Sequence, residues 1–230
     1  MVLAISVTLA YLRQRSCMYP PDCNAFNGAI QKSVMAKSPK IGGWNRGKTI
    51  GRMRPFTLEQ VQLIRAALAA KNDLRGLSLF EVGISTMLRS SDLLSLCVND
   101  VMSEGRIIET FDVRQKKTRG VVGVSLSSPA AAALLAYIAA AGLRSEGRLW
   151  KFGRLRHSQM VKAWARMAYA DPRFYSTHSI RRTYPTHIHK VTGSHEIPRQ
   201  LLGHSSLMAT VSYLGVDKEE ALAVKKLHEM

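Results

Sequence analysis

Acidic residues are scarce in this chain: 16 Asp and Glu stand against 33 Lys and Arg among 230 residues, for a formal net charge of +17. The acids are scattered rather than clustered as a two-metal site requires. Cysteines number three, Cys17, Cys23 and Cys97, and none forms a Cys-x-x-Cys unit. That argues against a disulfide framework and against a thiolate zinc site, and fits a reducing compartment. No apolar run approaches the ~18–20 residues that span a bilayer. No Gly-x-x-x-x-Gly-Lys-Ser/Thr string is present, so no phosphate loop for a nucleotide is expected. No internal repeat is visible.

What is there is a basic surplus on an otherwise ordinary globular composition, 46% apolar and 21% charged. Such a surplus marks a surface for nucleic acid or for an anionic membrane. The plain alternative is a solvated basic surface with no partner. Residues 1–12 are apolar like the middle of a signal peptide, but lack a basic segment before and a small-residue cleavage site after. The expected location is therefore the cytoplasm, with that segment unexplained.

Two regions are expected. Residues 1–54 form a basic arm or linker with weak apolar patterning; the first 56 residues hold nine basic residues and one acid, Asp22. Organised structure begins at Pro55 and runs to residue 230. Thr57-Leu58-Glu59-Gln60 has the form of a capping box, with Leu58, Val61, Ile64 and Leu68 following at helical spacing. Further helices are expected over 77–87 and from Ser90 or Ser91 through Leu93, Leu94 and Leu96, with Arg89 at the junction. Two β-branched runs, 106–113 and 121–126, flank Arg114-Gln115-Lys116-Lys117-Thr118-Arg119-Gly120 and predict a hairpin with a basic turn. Ser128-Pro129 opens an alanine-rich helix, with serine as cap. More helices follow over 155–169, 177–191, 196–202 and 207–213, with Pro185 a potential kink and a terminal helix capped near Asp217. The expected fold is mostly α with a small antiparallel β-sheet.

The chemistry concentrates in the last quarter. His178 and Arg181, three apart on a helix, share a face and can reach one phosphate together. Arginine grips two phosphate oxygens through its planar fork; Arg182 competes for that role. His204 follows Leu201-Leu202-Gly203, where glycine is expected to end a helix. Tyr213 lies nine residues further on. Taken singly each has a bland reading: a solvated histidine pair, a packing histidine, a core tyrosine, a solvated hairpin tip.

Their joint order resembles the tyrosine recombinases, the phage integrase family, over residues 56–227. Met87-Leu88-Arg89-Ser90-Ser91-Asp92-Leu93-Leu94 looks like that family's first arginine box. His178-Ser179-Ile180-Arg181-Arg182-Thr183 looks like the second, and Gln200-Leu201-Leu202-Gly203-His204-Ser205-Ser206 with Thr210 and Tyr213 like the third. The resemblance implies a catalytic domain that cuts DNA through a 3′-phosphotyrosyl bond and rejoins it to another strand. It implies Tyr213 as nucleophile, Arg89 and Arg181 as clamp on the scissile phosphate, His178 as aid to proton removal and His204 as a phosphate hydrogen-bond donor. Lys117 would protonate the leaving 5′-oxygen, with Lys116 the alternative. No cofactor or metal is implied. In-line displacement spreads negative charge over phosphate oxygens, which guanidinium and imidazole groups can stabilise.

The partner this implies is double-stranded DNA, not a membrane. Ala221, Val224 and Leu227, along one side of the expected terminal helix, could support self-association on DNA. Family members usually carry a further helical domain ahead of the catalytic one, and here about 55 residues precede the match. Either the arm substitutes, or an accessory DNA-binding protein supplies that role, or the chain is a shortened relative. Two other readings share the resemblance: a DNA-binding protein with a recombinase fold that does not cut, and a DNA-relaxing enzyme of the type IB topoisomerase kind.

Overall fold

The computed structural model describes residues 52–215. Residues 1–51 and 216–230, which hold nearly all of the expected arm and the whole of the expected terminal helix, lie outside the described residues.

Helix α1 (Leu58–Ala70) starts where the sequence places it. Thr57 and Gln60 exchange the two hydrogen bonds of a capping box, and Val61, Ile64 and Leu68 face inward. Helix α2 (Leu74–Thr86) begins earlier than expected because Asp73 caps it, accepting from the Gly76 N–H at 2.8 Å. Phe80, Val82, Ser78 and Glu81 are all buried, so α2 is enclosed around most of its circumference. It packs on α1, α5 and α7. Gly83 lets α7 approach closely: a Cβ there would stand 2.9 Å from Ile180 Cγ2. Met87 ends α2 in the left-handed conformation, φ 52°.

The next expected helix is two short ones, α3 (Ser90–Leu93) and α4 (Val98–Val101). Leu96 and Cys97 leave the helical path to pair with Leu149 and Arg148, and the Asp100 carboxylate then recaps the chain at the Cys97 N–H. The β-rich region also divides. A small hairpin, β1 (Met102–Ser103) and β2 (Arg106–Ile107), turns through Glu104 and Gly105 at φ 51° and 75°. The separate basic hairpin joins β3 (Thr110–Arg114) to β4 (Val121–Ser125), with Val113 opposite Val122 and Phe111 opposite Val124. The run 106–113 is thus not one strand: Ile107 pairs with Met102, and the Ile108 N–H turns to the Val101 carbonyl.

Helix α5 (Ser128–Ala141) is capped by Ser127 rather than Ser128, because Ser85 Oγ accepts the Ser127 N–H and holds that residue extended outside the helix. Helix α6 (Arg154–Met167) buries His157, Val161, Trp164 and Ala165. A 3₁₀ turn at Pro172–Phe174 leads to α7 (Thr177–Thr192), which runs through Pro185 without a break in helical assignment. Helices α8 (Glu196–Leu202) and α9 (Leu207–Leu214) follow. The core joins these layers through Phe80, packed edge-on to Trp164, and Phe56, stacked on Tyr175. Over the described residues the fold is mostly helical with two small antiparallel sheets. Among the described residues no helix is long and apolar enough to cross a membrane.

Candidate active site

Arg181 organises the site. On α7, its guanidinium is buried and donates from Nη1 to the Met87 carbonyl and from Nη2 to the Leu202 carbonyl at 2.9 Å. One side chain therefore fixes the end of α2, two residues before Arg89, and the end of α8, two residues before His204. Burial lowers the Arg181 pKa and Arg89 lowers it further, while Tyr213 and Asp92 act in the opposite sense.

Arg89 stands at the N-cap of α3, with extended backbone. Its Nη1 donates to Gln115 Oε1, and the same oxygen accepts from Thr118 Oγ1 at 2.6 Å. Gln115 is buried at the base of the basic turn, which its N–H closes on the Gly120 carbonyl. The turn is held from the other side by buried Asp92, whose Oδ1 accepts the Lys116 N–H at 3.1 Å. The lysine turn and the arginine thus share a scaffold. Both turn lysines are exposed, but Lys117 is the one whose charge bears on His178.

His178 occupies the first turn of α7, where Ser176 and Ser179 form the cap. Its residue is exposed, yet the protein on its inner side lowers the imidazole pKa, as do Arg181, Arg89, Lys117 and Arg182. His204 follows Gly203, which ends α8 in the left-handed region at φ 62°. Its Nδ1 hydrogen-bonds Thr210 Oγ1 at 3.0 Å, and burial with the Arg181 and Arg89 charges brings its pKa down to about 4.

Tyr213 lies on the last turn of α9, edge-on to His204 with centroids 5.3 Å apart. Its hydroxyl is buried without a well-formed hydrogen bond, although the Arg181 guanidinium is close enough to act on it. Burial raises the phenol pKa; Arg181, Arg182 and Arg89 pull it back. The phenolic oxygen is therefore buried, with three guanidinium groups acting on it. Arg89 and Arg181 thus act on His178, on His204 and on Tyr213, His204 adjoins the Tyr213 ring, and Lys117 acts on His178.

Residues 54–220 match the phage integrase family. The chain belongs to that family. It is 27% identical over 176 residues to a probable integrase/recombinase, YoeC, of Bacillus subtilis, covering 74% of this chain and 93% of that protein. It is 26% identical over 207 residues to the tyrosine recombinase XerC of Actinobacillus pleuropneumoniae, covering 84% of this chain but 64% of XerC. The chain thus spans nearly all of one relative and about two thirds of the other.

The fold is that of the tyrosine recombinases. The XerA recombinase superposes at a TM-score of 0.63 with 18% identity, over 79% of this chain and 67% of that one. The XerH recombinase bound to its difH substrate gives a TM-score of 0.59 with 16% identity, over 80% and 57%. Within this phage integrase fold, three residues make contacts around the candidate site that local spacing did not assign. Gln115 and Asp92 hold the lysine turn against Arg89, and Thr210 orients His204. Asp92 and Thr210 stand inside the family-like strings, and Gln115 at the base of the turn, but only the tertiary contacts give them these partners.

Proposed function

We propose that this chain is a site-specific DNA recombinase or integrase that cuts and rejoins strands through a covalent 3′-phosphotyrosine intermediate. The observation that carries the reading is the Tyr213 hydroxyl, buried beside Arg181, Arg182 and Arg89 next to a neutral His204. A phenol set among guanidiniums suits attack on a phosphodiester, because those charges meet the anion that develops on phosphorus.

In the first step the Tyr213 oxygen attacks phosphorus in line, the new O–P bond forms and the P–O5′ bond breaks. The phenolic proton passes to His178, whose lowered pKa leaves it neutral and able to accept. The leaving 5′-oxygen takes a proton from Lys117. Arg89 and Arg181 hold the non-bridging oxygens with His204. In the second step a 5′-hydroxyl from another strand attacks the phosphotyrosine, and each proton transfer runs in reverse. The bond energy is conserved, so no nucleotide is consumed.

Double-stranded DNA is the proposed partner, in keeping with the basic surplus and with the DNA in the XerH complex. Self-association through the tail that carries Ala221, Val224 and Leu227 is proposed with it, and cross-linking on DNA would test that. The defining experiment uses a nicked duplex from which a short fragment diffuses after cleavage. A covalent protein–DNA adduct is expected, insensitive to EDTA. Tight binding with no adduct would favour a DNA-binding protein that does not cut. Relaxation of supercoiled plasmid by the monomer would favour the topoisomerase-like alternative.

A further inference from the structure

Arg182 is buried next to the arginine that spans Met87 and Leu202, but its own partners are different. Its Nη1 donates to the Met53 carbonyl and its Nη2 to the Leu214 carbonyl at 3.2 Å. Its guanidinium carbon lies 5.5 Å from the centroid of the Tyr213 ring. With both terminal nitrogens on backbone carbonyls, this side chain is engaged in holding the protein together and is not poised to grip phosphate.

The two carbonyls belong to segments that need an anchor. Leu214 is the last residue of α9, a helix of 8 residues. Two turns of helix are unstable alone, and the carbonyls at a C-terminus lack intrahelical partners. A cation there also complements the helix dipole. Met53 belongs to a strap ahead of α1. The Arg54 N–H donates to the Phe174 carbonyl at 2.9 Å, and the Phe56 N–H to Thr183 Oγ1 at 3.1 Å. Arg54 lies over the Phe174 ring, and Arg52 fills the space beside Gly215, where a Cβ would come 1.4 Å from its Nη1. The strap and the end of the tyrosine helix are thus neighbours that share one guanidinium.

We propose that Arg182 is a positioning residue for Tyr213, clamping the last turn of α9 to the strap at residues 52–56. The reach of the tyrosine then depends on the segment that enters ahead of α1. This rests on Tyr213 being the nucleophile. Arg182 also adds positive charge beside the phenol, together with Arg181 of the same helix and Arg89 at the start of α3, while the ring of His204 in the loop before α9 faces it uncharged. Lysine would keep the charge but cannot span two carbonyls; glutamine would lose the charge.

The test compares full-length wild type, Arg182→Lys, Arg182→Gln and Tyr213→Phe on the nicked duplex, across pH 6 to 10, with duplex binding and peptide-level hydrogen exchange. Both Arg182 variants are expected to bind within about twofold of wild type and to cleave ~10²-fold more slowly, the scale of a misplaced reacting group. The rise in rate with pH is expected at higher pH in Arg182→Gln than in Arg182→Lys. Exchange is expected to accelerate in peptides covering 52–56 and 207–215 and not elsewhere. Wild-type rates and pH profiles in both variants would overturn the proposal. So would exchange accelerated evenly over the whole domain, which would make Arg182 a general stabiliser. A wild type without adduct, or an adduct that persists in Tyr213→Phe, would instead remove the nucleophile assignment; the exchange pattern would still decide whether the clamp exists.

Discussion

The imidazole of His204 meets the ring of Tyr213 edge-on, with ring planes at 86° and Nδ1 tied to Thr210 Oγ1. That bond leaves Nε2 as the nitrogen available to a phosphate. With a pKa of about 4 the ring is neutral near pH 7, so in the proposed reaction it would serve as a hydrogen-bond donor and not as a fixed cation. Thr210→Val frees the ring and is expected to slow cleavage by about tenfold, the worth of one hydrogen bond. His204→Ala is expected to cost ~10²–10³-fold. Single-turnover cleavage checks both, and equal rates in Thr210→Val and wild type would remove the orienting role.

Gln115 couples Arg89 to the lysine turn, since one amide oxygen accepts from both the guanidinium and Thr118. Gln115→Leu releases Arg89 and loosens the turn together. Cleavage is expected to fall ~10²-fold with duplex binding retained. A fall in binding equal to the fall in rate would mean that the residue supports affinity alone.

His157 contributes to the pH dependence of stability, alongside His204 and His178, whose pKa values are lowered too. It is 1% exposed, bonded to Ser90 Oγ through Nδ1, and burial brings its pKa down to about 4. The unfolded ring titrates near 6.5. Because the folded pKa is depressed, protonation favours the unfolded chain. The linked stability is present above pH ~6.5 and is lost as pH falls toward 4, roughly 3 kcal/mol in all. Thermal midpoints of wild type are expected to drop more steeply than those of His157→Gln between pH 6.5 and 4.5. Parallel curves would show that the ring carries no such linkage.

Gly203 sets the turn from which His204 is presented. Its φ of 62° suits glycine, and a Cβ would come 2.3 Å from Val122 Cγ2 in the basic hairpin. Gly203→Ala is expected to destabilise the fold by about 1–3 kcal/mol and to displace His204. Urea denaturation with cleavage assays would check both effects. An unchanged midpoint would mean that the hairpin yields freely.

Local chemistry was legible where it acts locally. The Thr57–Gln60 box, the α7 helix bearing His178 and Arg181, and the hairpin that carries Lys117 all follow from spacing and turn residues. What spacing did not yield are contacts between distant segments. Arg182 looked like a competitor for phosphate because it neighbours Arg181, but carbonyls at Met53 and Leu214 decide its use. Ser127 displaced Ser128 as a cap through a bond to Ser85, far back in the chain. The break between β2 and β3 likewise depends on the Val101 carbonyl, and apolar alternation alone cannot register that.

The central claim is that the Tyr213 oxygen becomes bonded to phosphorus. Adduct trapped on the nicked duplex can be digested with nuclease and trypsin, and the modified peptide sequenced by mass spectrometry. The nucleotide remnant is expected on Tyr213, within the tryptic peptide of residues 200–218. A remnant on Tyr184 or on any other side chain would contradict it.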